Sequence, residues 1–273
     1  MSRSTILGAR GFIGRHLADE LRSHGREVHT PERDAELAGE DLGIVYYCIG
    51  LTADFRHRPF DTVAAHVVKL QQILQTTRFE RILYCSSTRV YDTTGIASTA
   101  EDASQSVNSS NPSDLYNLSK LLGESLVLHT GKPGIIARIS NVFGPDFESE
   151  NFLASLIQDG ICKGRIVLRS DPESVKDYIG IRDAVRLLVD IAERGRENIY
   201  NVASGRNVSH ARILERLREI TGCEVELAGG PRFAFRPIDI RRVQAEFGFA
   251  AEELESSLDQ LVYEYRQRIS RLA

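Results

Sequence analysis

The sequence predicts an α/β protein with a doubly wound parallel sheet and a smaller α/β region toward its C-terminal end. Short runs rich in Ile, Val, Leu and Tyr alternate with segments in which apolar residues recur every three or four positions. Such alternation implies right-handed crossovers between parallel strands. A glycine-spaced turn at residues 8–14 joins the first strand to the first helix. From about residue 141 the alternation loosens, so we expect residues 1–145 to form mainly the first region and residues 146–273 mainly the second, interleaved with it.

Each segment's pattern predicts its element. Residues 5–7 form a short apolar strand, residues 12–24 carry helical periodicity, and Gly25 is a typical stop signal for that helix. The other elements expected in the first region are strands at 27–30, 42–50, 81–86 and 134–139, and helices at 60–77 and 114–129. Those expected in the second region are helices at 152–159, 181–194, 209–221 and 251–271, and strands at 165–168 and 198–202.

Residues 93–111 are poor in apolar side chains and rich in Ser, Thr and Asn, which predicts a surface loop. Two interpretations remain open for this loop: a solvated connector, or a mobile lid beside a site.

The composition excludes several classes of protein. With 42% hydrophobic and 26% charged residues, the 273-residue chain is ordinary for a globular protein, and its net charge of −4 argues against a nucleic-acid partner. No stretch approaches ~18 apolar residues, so we expect neither a membrane span nor a membrane partner. The four cysteines lie far apart, which favours free thiols in a reducing cytosol over disulfides or a metal site. Residues 1–5 run directly into a strand, so we expect no leader and a cytoplasmic location.

The glycine-spaced turn predicts a dinucleotide site. Gly8 permits a tight turn, Gly11 lets the backbone approach a pyrophosphate, and Gly14 allows the helix to pack closely on the strand. The anion would lie on free backbone N–H groups at the positive end of the helix. A glycine-rich turn without a ligand is the alternative interpretation. The predicted cofactor-binding residues of the turn are Gly8, Arg10, Gly11, Phe12, Ile13 and Gly14.

Tyr116 and Lys120 stand one helical turn apart on one face of the helix predicted at 114–129. An ammonium beside a phenol lowers the pKa of the phenol toward neutrality, so this tyrosine can pass a proton to or from a sugar or alcohol oxygen. The spacing alone occurs by chance in many helices. Together with the glycine turn and the strand end at Ser86-Ser87-Thr88, it predicts a nicotinamide-dependent enzyme.

Six motifs extend this pattern along nearly the whole chain. They are Gly-Ala-Arg-Gly-Phe-Ile-Gly (8–14), Cys-Ser-Ser-Thr-Arg-Val-Tyr (85–91), Tyr-Asn-Leu-Ser-Lys (116–120), Arg-Ile-Ser-Asn-Val-Phe-Gly-Pro (138–145), Asp-Tyr-Ile-Gly-Ile-Arg-Asp (177–183) and Tyr-Asn-Val-Ala-Ser-Gly (200–205). In this order they resemble the extended short-chain dehydrogenase/reductase family, in its nucleotide-sugar epimerase, dehydratase and ketoreductase branch. The resemblance implies a Rossmann dinucleotide-binding region over residues 1–145, a mainly substrate-binding region over residues 146–273, and a nucleotide-sugar substrate.

The resemblance also implies roles for individual residues. Tyr116 matches the family's acid/base, Lys120 its ribose-binding partner, and Ser87 the hydroxyl that hydrogen-bonds the reacting oxygen. A strand-end hydroxyl that only satisfies the backbone is the alternative for Ser87. Cys48 lies at a strand end that borders the nicotinamide in this fold, and His66 takes a helix position where a buried core role is expected rather than a catalytic one.

Thr88 and Arg89 occupy the positions where family dehydratases carry Asp and Glu and decarboxylases carry Glu. Without a carboxylate there, dehydration is not expected, and 4-keto reduction or 4-epimerisation remains. Thr88 is a predicted substrate contact.

The coenzyme depends on residues after the second strand. Glu32 falls near the acidic position that binds the ribose hydroxyl of NAD(H), whereas Arg10 and Arg33 resemble arginines that hold the 2′-phosphate of NADP(H). The arginine pair favours NADP(H), with NAD(H) as the alternative, and a solvated surface role stays open for Arg33.

The resemblance places the substrate contacts in the second region. Asn141 resembles a residue near the sugar diphosphate, and each cation could instead be a surface charge. The cations proposed for the diphosphate are Arg169, Lys176 and Arg236. The helices at 60–77 and 114–129 resemble those that form a four-helix homodimer interface in the family.

Three functions follow as hypotheses. The first is an NADP(H)-dependent reductase of a nucleotide-linked 4-keto sugar with Tyr116 as acid/base. The second is a nucleotide-sugar 4-epimerase with tightly bound NAD. The third is a non-catalytic dinucleotide-binding protein, against which the intact Ser87, Tyr116 and Lys120 set argues.

Overall fold

The computed structural model of the protein describes residues 3–51, 54–92 and 97–272, so residues 93–96 of the predicted loop lie outside the described residues. The strands are β1 (Ser4–Leu7), β2 (Val28–His29), β3 (Ile44–Tyr47), β4 (Arg81–Ser87), β5 (Gly134–Ile139), β6 (Asn141–Phe143), β7 (Arg165–Leu168), β8 (Val175–Gly180), β9 (Ile199–Val202), β10 (Asn207–Ser209) and β11 (Glu224–Leu227). The helices are α1 (Phe12–Ser23), α2 (Pro59–Val63), α3 (Lys69–Thr76), α4 (Asp114–His129), α5 (Phe152–Gln158), α6 (Ile181–Arg194), α7 (His210–Thr221), α8 (Arg241–Phe247) and α9 (Leu254–Leu272).

A six-stranded parallel sheet with the order β2-β1-β3-β4-β5-β9 forms the main framework. Its strands are apolar almost throughout because helices cover parallel sheets on both faces. Ile6, Val45, Ile82 and Ile136 are fully buried in neighbouring strands. The predicted fold class, α/β with a doubly wound parallel sheet, is therefore confirmed.

The helix predicted at 60–77 is continuous but not uniform. It begins as α2, passes through a π-helical segment at Ala64–Val68, and continues as α3. Two carbonyl groups of the π-helical segment accept hydrogen bonds from tyrosine side chains. The Tyr47 hydroxyl donates to the Ala65 carbonyl, and the Tyr84 hydroxyl donates to the His66 carbonyl. The π-helical segment, which contains His66, is thus hydrogen-bonded from β3 and β4.

The chain divides into two units. Unit 1 comprises residues 1–140, 182–202 and 239–249, and unit 2 comprises residues 141–181, 203–238 and 250–273. Unit 2 has its own apolar core, which includes Ile157, Leu217 and Leu258. Its strands pair as β10-β8-β6 and as β11-β7.

Several elements differ from the expectations. The strand predicted at 42–50 ends at Tyr47, where its pairing with β4 stops, and the strand predicted at 27–30 keeps two residues. The sequence patterns did not indicate β6, β8, β10, β11 or α8. Within the described ranges, no helix combines the length and apolarity needed to cross a membrane.

Candidate active site

The turn after β1 has the geometry that a dinucleotide requires. Gly8 has a φ of +93°, and a side chain there would meet the backbone of Cys48 at 2.9 Å. A Cβ at Gly14 would collide with the carbonyl of Gly8, so α1 starts against the strand end. Gly11 caps α1 with no side-chain hydrogen bond and no acidic residue in the first turn, which leaves the first N–H groups at Phe12 and Ile13 available for an anion.

The charged residues that bear on coenzyme choice lie beside this turn. Arg10 and Glu32 form an ion pair of 3.2 Å, with both side chains mostly exposed. Arg33 is exposed. The structure thus places Arg10, which is expected to bind a phosphate, next to Glu32, which is expected to bind a ribose. The two side chains are paired with each other.

Tyr116 lies in the buried face of α4, with Lys120 one turn later, as the spacing predicts. Burial raises the pKa of Tyr116, while a side-chain hydrogen bond with Ser87 and the charge of Arg89 oppose that rise. The expectation that Lys120 lowers this pKa toward neutrality is therefore wrong here. Burial is the stronger effect, and the cation that acts on the phenol is Arg89. Ser87 and Tyr116 are nevertheless brought together as predicted.

Lys120 is almost fully buried. Its ammonium donates a hydrogen bond of 2.8 Å to the carbonyl of Cys85 and stands over the ring of Tyr84. Burial lowers the pKa of Lys120 to about 8. A Cβ at Gly50 would lie 3.6 Å from its nitrogen, so the ammonium reaches the carboxyl ends of both β3 and β4.

His66 packs edge-on against the Tyr116 ring, with the ring centroids 5.2 Å apart. Its Nε2 accepts a hydrogen bond from the N–H of Leu51, so the proton lies on Nδ1, which donates to the hydroxyl of Ser119 at 2.8 Å. Burial, together with the charge of Lys120, lowers the pKa of His66 to about 2. The imidazole is neutral and saturated with partners, as a core role requires.

Cys48 directly follows β3 and Cys85 lies within the neighbouring strand β4, and their sulfur atoms are 3.6 Å apart. Hydrogen bonding to Cys85, followed by burial, raises the pKa of the Cys48 thiol. Both are free thiols. Cys48 lies beside Gly8, where the sequence placed it in the cofactor site.

A buried ion pair holds the end of β4. Arg138 binds Glu124 at 2.7 Å and also donates to the Tyr91 hydroxyl and the Glu101 carbonyl. Ser86 donates to the same carboxylate. No sequence pattern described above predicts this network, although the position of Glu124, one turn after Lys120 on the same helical face, is a signal that could have indicated it.

Arg89 is a second feature whose contacts the sequence patterns did not indicate; they showed only that its position lacks a carboxylate. Thr88 and Arg89 lie in a 3₁₀ turn after Ser87, whose hydroxyl accepts a hydrogen bond from the Arg89 N–H. The Arg89 guanidinium carbon stands 5.5 Å from the Tyr116 ring centroid and 4.9 Å from that of Phe55.

The substrate contacts predicted in the second region belong to unit 2. Asn141 donates a hydrogen bond to the carbonyl of Asp177, and the Lys176 ammonium stands over the rings of Phe152 and Phe233. Arg169 and Arg236 are exposed.

No group of three or more His, Cys, Asp or Glu side chains suited to a metal ion occurs among the described residues. The donors at the glycine turn and at Ser87, Tyr116 and Lys120 instead fit a dinucleotide and an alcohol or ketone.

Residues 4–203 match the model of the NAD dependent epimerase/dehydratase family. The chain belongs to this family. The resemblance stated from the motifs is thereby confirmed, and the family member is an NAD(P)-dependent enzyme of the extended short-chain dehydrogenase/reductase type.

Three comparisons define the similarity of this family member to known proteins. It is 30% identical to a dTDP-glucose 4,6-dehydratase of Streptomyces griseus over 58% of this chain and 52% of that protein, so the match spans about half of that relative. It is 22% identical to a dTDP-4-dehydro-6-deoxy-D-allose reductase of a Streptomyces species, over 96% of this chain and 95% of that protein. Its fold resembles RMD from Pseudomonas aeruginosa complexed with NADPH, with a TM-score of 0.82 and 22% identity over 98% of this chain and 100% of that one.

Proposed function

We propose that this protein is an NADP(H)-dependent reductase of a nucleotide-linked 4-keto sugar. The observation that carries the proposal is the burial of Tyr116 beside Ser87, with Lys120 buried one turn further along α4. Burial keeps the Tyr116 phenol protonated, and a protonated phenol is suited to give its proton to the oxygen of a ketone that is being reduced.

The residues divide the work as follows. A reduced nicotinamide coenzyme, when bound, would supply the hydride for C4 of the sugar. Ser87 orients the C4 oxygen, and Tyr116 donates the proton that completes the new hydroxyl. Lys120 would bind the coenzyme ribose, and the turn from Gly8 to Gly14 would hold the pyrophosphate on its backbone N–H groups.

Reduction is favoured over dehydration by the side chains that follow Ser87. Thr88 can contact the sugar through its hydroxyl, but neither it nor Arg89 can protonate a leaving hydroxyl in the way a carboxylic acid does. The similarity to a 4-dehydro-sugar reductase over nearly the full chain supports the same choice.

NADP(H) is the proposed coenzyme because Arg10 and Arg33 can bind a 2′-phosphate. Arg10 is paired with Glu32, so a phosphate would have to displace that carboxylate from the guanidinium.

A second function, nucleotide-sugar 4-epimerisation with tightly bound NAD, is favoured by one observation. Glu32 lies beside the glycine turn, where its carboxylate can accept hydrogen bonds from the adenosine ribose of NAD. An epimerase would oxidise and reduce the same carbon and consume no coenzyme.

We assign nucleotide-sugar binding to unit 2. Asn141 and Lys176 lie on its strands β6 and β8, and the exposed guanidinium groups of Arg169 and Arg236 can pair with a diphosphate.

The apolar face of α2 and α4 is assigned to a second copy of the chain. Phe60 is 89% exposed and Leu122 is 51% exposed, and Val63 and Val68 add to this surface. Two helical elements from each chain would form a four-helix interface.

The test is the loss of reduced-nicotinamide absorbance when the protein is mixed with NADPH, or NADH, and a panel of nucleotide-linked 4-keto sugars, among them 4-keto-6-deoxy sugars. We expect stoichiometric oxidation with one panel member and a preference for NADPH. Tyr116→Phe should keep coenzyme affinity near normal and lose at least ~10²-fold in turnover, because the proton donor is gone.

Two results would overturn the proposal. Unchanged turnover of Tyr116→Phe would remove the acid/base assignment. No oxidation with any panel member, combined with interconversion of ordinary nucleotide hexoses without added coenzyme, would assign the protein as an epimerase.

A further inference from the structure

Arg89 stands directly beside the reacting group. It is two residues from Ser87, and its backbone N–H donates to the Ser87 hydroxyl at 3.2 Å. Its guanidinium lies against the ring of Tyr116 and the ring of Phe55, which are themselves 5.3 Å apart. Its cation is therefore fixed at the end of the site where Tyr116 acts on the sugar.

The Arg89 guanidinium lacks a partner. It donates no hydrogen bond and forms no ion pair with any residue that the structure describes, and its Nε is shielded from solvent without an acceptor. Burial lowers the pKa of Arg89, and although Asp92 and Asp114 act on it electrostatically, neither comes within ion-pair distance. A half-buried guanidinium without an acceptor has lost part of its hydration and has gained no anion in exchange. This arrangement costs free energy.

Two other arginines of unit 1 differ from Arg89 because their guanidinium groups have acceptors. Arg138, which is also buried in unit 1, is saturated by Glu124, Tyr91 and a backbone carbonyl. Arg56, whose guanidinium also stands over the Phe55 ring, donates from Nε and a terminal nitrogen to the hydroxyl of Ser113. Only the arginine next to Tyr116 keeps its whole donor fork unused among these three.

We propose that Arg89 binds a carboxylate carried by the sugar ring of the substrate, so that the enzyme acts on a nucleotide-linked uronic acid or its 4-keto form. The planar guanidinium can pair with a carboxylate through two parallel hydrogen bonds, and the stacked rings hold it ready to do so. The proposal rests on the proposed function for its nucleotide-sugar site, and it holds for either direction of hydride transfer.

The test measures binding by isothermal titration calorimetry in the presence of saturating reduced coenzyme, which leaves no hydride acceptor and so prevents turnover of a 4-hydroxy sugar. The probes are matched pairs that differ only at C6: UDP-glucuronic acid with UDP-glucose, dTDP-glucuronic acid with dTDP-glucose, and GDP-mannuronic acid with GDP-mannose. We expect the uronate to bind at least ~10-fold more tightly than its hexose partner in one series, as a charged hydrogen-bonded pair contributes.

Substitution of Arg89 then assigns the preference. Arg89→Gln should lower uronate affinity by ~10- to 100-fold and change hexose affinity by less than ~3-fold, which also shows that the variant is folded. Arg89→Lys should fall between, because it keeps the charge but loses the fork. Arg58→Gln is the matched control, since Arg58 is exposed and paired with Asp61, and it should change neither affinity.

Each other outcome is decisive. Equal or tighter hexose binding in every series, with binding present, overturns the carboxylate assignment and leaves the proposed function standing. Equal losses of uronate and hexose in Arg89→Gln would show that Arg89 contacts the diphosphate, and would also overturn it. Failure of all six probes to bind, with coenzyme binding retained, overturns the nucleotide-sugar function together with this inference.

Discussion

His66 shows how a single buried side chain is held in one protonation state. The Leu51 N–H requires a lone pair on Nε2, and the hydroxyl of Ser119, which itself donates to the Tyr116 carbonyl, accepts the proton on Nδ1. Protonating the ring would break the bond to Leu51 and place a charge near Lys120. The imidazole therefore connects the end of β3 to the helix that carries Tyr116.

This arrangement predicts a pH dependence of stability. The pKa of His66 falls from 6.5 to about 2 on folding. Above pH 6.5 neither state is protonated, and below it the unfolded chain takes up a proton that the folded chain refuses, so stability falls by about 1.4 kcal/mol per pH unit. Between pH 6.0 and 4.5, wild type should lose about 2 kcal/mol more than His66→Gln or His66→Asn in urea unfolding.

The comparison uses slopes rather than absolute stabilities, so the packing lost in the variants does not enter. Parallel pH slopes for wild type and both variants would contradict the assignment of a neutral, unprotonatable His66.

The sequence placed Tyr116 and Lys120 on one face of a helix, as observed, but it did not predict the electrostatic surroundings of Tyr116. Periodicity alone aligned Tyr116 with Lys120, and the strand end at Ser87 followed from its position. The pKa of Tyr116 depends on burial and on the charge of Arg89. The Arg89 guanidinium lies over the Tyr116 ring of α4 and over the Phe55 ring at the same place. Contacts of that kind join segments far apart in sequence, and no local pattern encodes them.

Among the contacts between elements, α4 packs closely against the π-helical segment and β4 at Gly123. Gly123 faces the hydroxyl of Tyr84, and a Cβ there would also approach the His66 carbonyl at 3.0 Å. The absence of a side chain at this position lets α4 lie against β4, with the Tyr84 hydroxyl still bonded to the π-helical segment.

Gly123→Ala should therefore destabilise the protein, although alanine is the better helix former by about 1 kcal/mol. The added methyl would displace Tyr84 and cost about 1–3 kcal/mol of unfolding free energy, measured by urea denaturation. Ser125→Ala, on the exposed side of the same helix, is the control and should stay within about 0.5 kcal/mol of wild type. A Gly123→Ala protein at least as stable as wild type would show that this contact has room for a methyl group.

Long elements with clear periodicity were predictable, and short polar ones were not. The bounds of α4, α6 and β5 match their expected ranges because amphipathic or apolar runs define them completely. By contrast, β6 and β10 have three residues each and contain Asn or Ser. Their strand conformation comes from pairing with β8 and not from their own propensity.

For the molecule as a whole, we propose that a second copy of the chain covers the apolar surface on α2, the π-helical segment and α4. Phe60, Val63, Val68 and Leu122 are exposed large apolar side chains on adjacent helices of unit 1. Single exposed apolar residues are common, whereas a contiguous group marks an interaction surface.

Phe60→Glu combined with Leu122→Glu should convert a dimer into a monomer, because each charge would be buried without a partner at the interface. Sedimentation velocity at micromolar concentration measures the change. Tyr263→Glu, at an exposed aromatic residue on α9, is the control and should leave the dimer intact. A monomeric wild type, or a variant that remains dimeric, would refute the assignment.

The interleaving of the two units bears on synthesis of the chain. Strand β9, which closes the β5 side of the parallel sheet, follows the whole first segment of unit 2 in sequence. A growing chain on the ribosome therefore exposes the open edge of β5 until residue 202 has emerged. Open strand edges pair readily with other chains, so the interval between making β5 and making β9 is when the nascent protein most needs a chaperone.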